Sequence, residues 1–422
     1  MAGVRVSGSL AGRLTVPSSK SAAHRVLICS ALADRQTTVR CVGAGDDIHA
    51  TAGCLRALGV RLKENGDSFS LTPLRIMPHV EGRPLMDCGE SGSTLRFMLP
   101  VTAALGISST FIGRGRLPER PLSPLYEQMT LHGVSMSQNG IMPLTVDGRL
   151  KGGDFTLDAG VSSQFVSGLL MAFPLTGSDC RLELTGKKES TPYIDLTVSV
   201  MRRFGVSVED YGNGYRVAKG QKYVSPGETF VEGDWSGAAF WLAAACAGSG
   251  VIECCGLDYF DSVQGDRIIV DILREMGGRV EVDGMSVIAY PSDLHGVEVD
   301  CSNIPDLVPA LAVAASCSSG ETVLKGVGRL RLKESDRIES VCAMLSSFGI
   351  RNIGSDDSIR IWGGRPVCGT VNSEGDHRIA MAAAVIASLA QGVTVIDNPE
   401  CSAKSYPGFF DSFRMLGGTV IP

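Results

Sequence analysis

The 422-residue sequence has no apolar run long enough to cross a bilayer. Its most apolar stretch, Ile379 to Ala390, ends after 12 residues at Gln391-Gly392, where a spanning helix needs about 20. Met1 to Ser19 contains no apolar core, so no secretory signal is expected. Basic residues are not in excess: 39 Lys and Arg face 45 Asp and Glu, a net charge of −6. That balance argues against a duplex nucleic-acid partner, and 6% aromatics leave few platforms for base stacking. The 13 cysteines form no C-x-x-C pair, and the only adjacent two are Cys254-Cys255. Neither a zinc site nor a redox motif is indicated, and scattered thiols fit a reducing cytoplasm. Lys20-Ser21 looks like the end of a P-loop, but no G-x-x-x-x-G precedes it. G-x-G-x-x-G after a strand, G-x-S-x-G and H-E-x-x-H are missing too, which removes the usual signals for ATP, NAD and serine or zinc hydrolases.

What is present is a soluble, globular composition, 44% hydrophobic and 20% charged, of a length that suggests two or three domains. It is repeated internally. A helical stretch ending in a bulky apolar residue, then glycine, then a short strand occurs six times, with glycines at 59, 133, 205, 277, 349 and 417. Glycine just past a helix end supplies a left-handed cap. A second column, a very apolar helix opened by small or polar residues, begins near Ser21, Gly92, Ser163, Ser236, Asp306 and His377. Helices apolar on nearly all sides are buried helices. Each unit of about 70 residues is therefore an α/β piece with one buried and one amphipathic helix, and six units divide as three plus three. The best break lies near Ser225-Pro226-Gly227, with a weaker one at Thr15 to Ser19.

The repeat separates fold from function. Aspartates at 47, 195, 266 and 336 recur just before the amphipathic helices, where a carboxylate complements the helix N-terminus; they read as structural. The starts of the buried helices differ from one another, and helix N-termini with hydroxyl residues beside them bind anions. Arginines and lysines found in single units cluster in Gly113 to Pro121, in Arg329 to Arg337 and at Lys404. Such loops are either solvated charged surface or a device for small, multiply charged anions, which Arg grips bidentately and Lys as a point charge.

Taken in order, ten segments resemble the 5-enolpyruvylshikimate-3-phosphate synthase family over nearly the whole chain. They are Ser18-Ser19-Lys20-Ser21 with Arg25, Gly89 to Arg96, Leu117 to Pro121, Ser162-Ser163-Gln164, Pro192 to Asp195, Glu232-Gly233-Asp234, Ile304-Pro305-Asp306, Leu332 to Arg337, Asp376-His377-Arg378 and Cys401 to Lys404. The resemblance implies an α/β fold of two domains, each of three similar units around buried parallel helices. It implies an N-terminal domain of residues 14–233 and a C-terminal domain of 1–13 with 234–422, hinges near 14–17 and 230–234, and an active site in the cleft between them. The implied reaction moves the enolpyruvyl group of phosphoenolpyruvate to the 5-hydroxyl of shikimate 3-phosphate, with no metal or organic cofactor.

The same resemblance implies roles. Ser162, Ser163 and Ser190 hold the shikimate phosphate, Ser21 and Arg25 its carboxylate, and Gln164 and Tyr193 pack on its ring, with Lys20, Asp306 and Lys333 also at this substrate. Lys20, Arg120, Gln164, Lys404 and the Gly92 backbone surround phosphoenolpyruvate, whose carboxylate Arg337 and Arg378 grip. Asp306 takes the hydroxyl proton and Glu334 exchanges protons at the methylene carbon, working with Lys20. His377 reads as a binding residue; His24, His49, His79, His132 and His295 match no motif and read as structural or surface residues. Glu90, Ser93 and Phe97 depart from the family's frequent Asn, Thr and Pro, and Glu90 adds charge near the expected phosphoenolpyruvate site. Gly92 leaves room for the inhibitor glyphosate. A cytoplasmic monomer is expected. Two rivals remain: transfer to UDP-N-acetylglucosamine, disfavoured because Gly113 to Pro121 contains no cysteine, and a non-catalytic phosphate-binding protein, disfavoured because Lys20, Asp306, Glu334 and Lys404 are all present.

Overall fold

The computed structural model describes residues 3–74, 82–137, 141–158, 160, 162–186 and 190–422; His79 lies outside them. Among the described residues there are twelve α-helices. They are α1 (Lys20–Leu32), α2 (Asp46–Ala57), α3 (Gly92–Leu105), α4 (Leu125–Leu131), α5 (Ser163–Ala172), α6 (Thr191–Arg203), α7 (Trp235–Cys246), α8 (Ile269–Glu275), α9 (Val308–Cys317), α10 (Arg337–Ser347), α11 (His377–Leu389) and α12 (Phe409–Met415). The odd-numbered helices are the buried ones, with nearly every residue of α7, α9 and α11 out of solvent. The even-numbered helices bury one face only, as α6 does through Ile194, Leu196, Thr197, Val200 and Met201. Each even helix ends two residues before one of the six repeat glycines, whose φ values are +94, +91, +78, +93, +72 and +101°. Left-handed backbone of this kind costs other L-residues about 1–2 kcal/mol, which explains why the glycine column marks the period.

The described strands form six four-stranded sheets, one per repeat. In four of them the strand before the buried helix pairs in parallel with the strand after it. Leu85–Asp87 pairs with Ser109–Ile112 around α3, and Gly153–Asp158 with Cys180–Thr185 around α5. Glu298–Asp300 pairs with Glu321–Lys325 around α9, and Thr370–Asn372 with Thr394–Asp397 around α11. The first and fourth repeats exchange these strands. Gly12–Thr15, which precedes α1, pairs with Ile252–Cys255 after α7. Glu228–Phe230, which precedes α7, pairs with Thr37–Arg40 after α1. The chain accordingly divides into two compact units, Met1–Ser19 with Glu232–Pro422, and Lys20–Val231. The first change of unit falls after Ser19 rather than at 14, because the backbone ladder of Gly12–Thr15 belongs with Ile252–Cys255.

Each unit has its own apolar core. In the 20–231 unit, α3 and α5 pack closely. Pro100 lies inside α3 and has no N–H to offer the Arg96 carbonyl one turn earlier. Gly168 of α5 sits against that carbonyl, and a Cβ there would collide with it. In the other unit α7, α9 and α11 contact one another, and each is rich in alanine, with Ala238, Ala312 and Ala383 fully buried. The 13 cysteines are free thiols, most of them buried. No helix among the described residues is long and apolar enough to cross a membrane.

Candidate active site

The expected starts of the buried helices lie within two residues of the observed ones, whereas Arg120 and Lys404 lie at the ends of short 3-10 helices. In the 20–231 unit, Lys20 opens α1, and its Nζ donates to Asp47 Oδ2 at 2.9 Å. Arg25, one turn on, is 2% exposed. Its Nε donates to Thr197 Oγ1 (2.6 Å), Nη1 to the Ser21 carbonyl (2.6 Å), and Nη2 to Ser167 Oγ (3.1 Å) and the Tyr193 carbonyl (2.9 Å). The guanidinium also lies 4.8 Å from the Phe97 ring centre. Burial pushes its pKa down to about 9, the signature of a cation whose neighbours are neutral acceptors.

The other helix starts of this unit present hydroxyls and cations. Ser91 caps α3 by accepting from the Thr94 amide, and Gly92 follows as the first helical residue. A Cβ on Gly92 would stand 2.5 Å from Arg96 Nη1 and 2.7 Å from Arg120 Nη1, so the glycine lets two guanidiniums approach one backbone turn. Ser162 caps α5 by accepting from the Gln164 amide at 3.3 Å. Gln164 accepts from Arg96 Nη1 (2.8 Å) and donates to Ser93 Oγ (2.9 Å). Ser190 precedes α6 in left-handed backbone with φ +54°, and Tyr193 supplies its carbonyl to Arg25. Glu90 lies against Gly115 in the arginine-bearing loop, and Arg114 of that loop donates its amide to the Gly89 carbonyl at 2.7 Å.

In the other unit, cations and carboxylates interlock. Asp306 stands in a 3-10 turn, Pro305–Leu307, just before α9. Its Oδ1 accepts from Arg337 Nη1 (3.1 Å) and Lys333 Nζ (3.3 Å), and its Oδ2 lies 3.2 Å from Arg378 Nη2. Glu334 Oε2 accepts from Arg337 Nη2 at 2.7 Å. Arg337, 1% exposed, also meets Asp376 through Nε (2.7 Å) and Nη2 (3.2 Å). Burial works against its charge, but Asp376, Glu334 and Asp306 outweigh it and hold the guanidinium above its ordinary pKa. Asp376 is fully buried, caps α11 through the Arg378 amide, and accepts from Ser335 Oγ at 3.1 Å. Arg378 donates to the Asp306 carbonyl and to Ser236 Oγ. Lys404 donates to the Gly375 carbonyl at 2.9 Å, and His377 is buried beside Asp376.

Sequence reasoning passed over four participants. Asp376 appeared only as part of a motif, Asp47 only as a helix-start aspartate, and Arg96 and Ser236 had no role. Helix-start position alone does not separate a capping carboxylate from one that also engages a cation. The four repeated aspartates are not equivalent either. Asp336 caps α10 and Asp266 stands in the turn before α8. Asp47 lies in the first turn of α2 against Lys20, whereas Asp195 is exposed and inside α6, past its first turn. Among the histidines, His49 is half-exposed beside Glu64 and His132 stacks on Phe155. His24 is completely buried in a polar network.

Residues 4–413 match the model of the EPSP synthase family, 3-phosphoshikimate 1-carboxyvinyltransferase. A 3-phosphoshikimate 1-carboxyvinyltransferase of Clostridium kluyveri is 42% identical over 415 residues, covering 97% of this chain and 96% of the relative. One from Clostridium perfringens is 38% identical with 97% of each covered. A solved EPSP synthase from Acinetobacter baumannii superposes with a TM-score of 0.80 at 25% identity over the full length of both chains. An enolpyruvyl transferase from Streptomyces tendae shares the fold, with a TM-score of 0.77 at 18% identity.

Proposed function

The chain belongs to the EPSP synthase family, and from that premise we propose that it transfers the enolpyruvyl group of phosphoenolpyruvate to the 5-hydroxyl of shikimate 3-phosphate. The observation that carries the mechanism is the pair of carboxylates, Asp306 and Glu334, held 3.1 and 2.7 Å from one buried arginine, Arg337. Addition across the enol double bond requires a proton at the methylene carbon while the hydroxyl oxygen bonds to the neighbouring carbon. Elimination then removes a proton from the methyl group so formed, re-forms the double bond and expels phosphate. Two carboxylates fixed in one cationic frame suit these transfers. Asp306 takes the hydroxyl proton; Glu334 delivers and later removes the proton at the methylene carbon.

The remaining assignments follow from charge. Both substrates carry a phosphate and a carboxylate, so each needs several cations. Arg25, buried among neutral acceptors, supplies uncompensated positive charge for the shikimate carboxylate with Ser21, while Ser162, Ser163 and Ser190 receive its phosphate. Lys20, Arg120, Lys404 and the backbone at Gly92 receive the phosphate of phosphoenolpyruvate, and Arg337 and Arg378 its carboxylate. The 20–231 unit thus supplies mainly anion-binding groups, and the other unit supplies both the carboxylates and the cations Arg337, Arg378 and Lys404. Glyphosate, an anion that competes with phosphoenolpyruvate in this family, inhibits through the space left at Gly92.

The test is phosphate release from phosphoenolpyruvate, with shikimate 3-phosphate or UDP-N-acetylglucosamine as acceptor. Release with shikimate 3-phosphate alone is expected. Release with the nucleotide sugar alone would overturn the acceptor, and release with neither from folded protein would favour a non-catalytic binder.

A further inference from the structure

His24 joins a buried hydrogen-bond chain that crosses three helices. Its Nδ1 is 2.7 Å from Thr51 Oγ1 of α2, and Thr51 Oγ1 is 2.7 Å from Thr94 Oγ1 of α3. Thr94 Oγ1 reaches the Asp47 carbonyl at 3.3 Å and lies 2.8 Å from Ser91 Oγ, the cap of α3. His24, Thr51 and Thr94 are completely buried and Ser91 is 1% exposed. A carbonyl cannot donate. The one hydroxyl proton of Thr94 is committed to Ser91 Oγ, the nearer acceptor, and the Asp47 carbonyl, so Thr51 must donate to Thr94 and His24 Nδ1–H to Thr51. The ring therefore carries its proton on Nδ1. Its other nitrogen is buried with no hydrogen-bond partner among the described residues, and the ring meets Phe97 edge-on at 6.2 Å between centres.

The chain ends on two functional turns. Asp47 is the carboxylate that holds Lys20, and Ser91 sets the first turn of α3 at Gly92, where Arg96 and Arg120 gather. We propose that His24 is a positioning residue for the phosphoenolpyruvate side of the site: as terminal donor of a one-way chain through Thr51 and Thr94, it fixes the Asp47 backbone and the start of α3 relative to Lys20. The inference rests on the substrate assignment proposed above. The ring donates from Nδ1 in this tautomer, and burial, helped by the charges of Lys20 and Arg25, favours its neutral form. The hydrogen bonds of Arg25 run instead to Thr197, Ser167, Ser21 and Tyr193, so the contacts that fix Arg25 do not run through this chain.

The experiment compares steady-state kinetics of the full chain with His24→Leu, His24→Asn and Thr94→Val, each with its melting temperature. His24→Leu raises KM for phosphoenolpyruvate about tenfold, the worth of one buried donor, and leaves the KM for shikimate 3-phosphate within about twofold. His24→Asn, which keeps a donor, restores most of the loss. Thr94→Val, which keeps shape and breaks the chain one link further on, shows the same selective rise, and combining it with His24→Leu adds little. Equal weakening of both substrates, an unchanged KM for phosphoenolpyruvate, or full additivity would overturn the proposal. Inactive wild-type protein would instead overturn the reaction itself. If His24→Leu does not fold, Thr94→Val and His24→Asn decide.

Discussion

Arg25 and Arg337 are both buried guanidiniums, kept charged by opposite means. Arg337 is locked among Asp376, Asp306 and Glu334, all within 3.2 Å. Arg25 has two hydroxyls, two carbonyls and an aromatic face. The first arrangement is an ion lattice of one guanidinium and three carboxylates. The second is a buried cation with no carboxylate partner among the described residues. The opening turns of two helices of different kinds, buried α1 and amphipathic α10, thus hold a buried guanidinium in opposite ways according to the charges placed around it.

The comparison is broken most severely at the carboxylates. Glu334→Gln and Asp306→Asn should each lower turnover by about a hundredfold or more, the usual worth of a general acid or base, while binding of shikimate 3-phosphate persists. Single-turnover phosphate release measures this, and near-normal turnover in both variants would refute the assignment.

The arginines sharpen it next. Arg337→Met strands buried carboxylates and should cost about 3–5 kcal/mol of stability. Arg25→Met removes a cation from neutral acceptors, and Thr197 and Ser167 already hydrogen-bond to each other at 2.7 Å. It should melt well above Arg337→Met yet bind shikimate 3-phosphate about ten- to a hundredfold more weakly. Thermal melts and calorimetry separate the two outcomes; equal melting points would remove the distinction.

At Gly92 the expected effect is smaller. Gly92→Ala pushes against Arg96 and Arg120, so KM for phosphoenolpyruvate should rise by about tenfold, a shift of roughly 1.4 kcal/mol. Glyphosate inhibition should weaken in parallel. Inhibition curves on both proteins test this, and curves that coincide would place the inhibitor elsewhere.

The smallest effect is on pH. Burial, then the charges of Lys20 and Arg25, hold His24 well below its ordinary pKa of 6.5. Below that pH the unfolded chain binds a proton that the folded chain refuses. The stability is therefore complete above about pH 6.5 and falls with acidification, by up to about 1.4 kcal/mol per pH unit. His24→Asn should lose less melting temperature between about pH 7 and pH 5 than the unaltered chain.

Much of this was legible in the residues. The six glycines and six apolar helices announced the repeat, because left-handed caps and helices buried on all sides each demand particular residue types. The site motifs were legible because their charged residues occur in single repeats. Less legible were Asp47, Asp376, Arg96 and His24. A helix-start aspartate looks alike whether it caps or holds a lysine, and a histidine in an apolar helix reads as core filler. Local pattern by itself determined the period, the helix classes and the candidate carboxylates, since these depend on neighbours a few residues apart. Only the tertiary structure decided the rest: the strand exchange between the first and fourth repeats, the lattice around Arg337, the neutral setting of Arg25 and the direction of the His24 chain. Each of these depends on residues far apart in the chain, such as His24 and Thr51, 27 positions apart, or Gly12 and Ile252, 240 apart, and charge and proton direction are properties of the assembled neighbourhood.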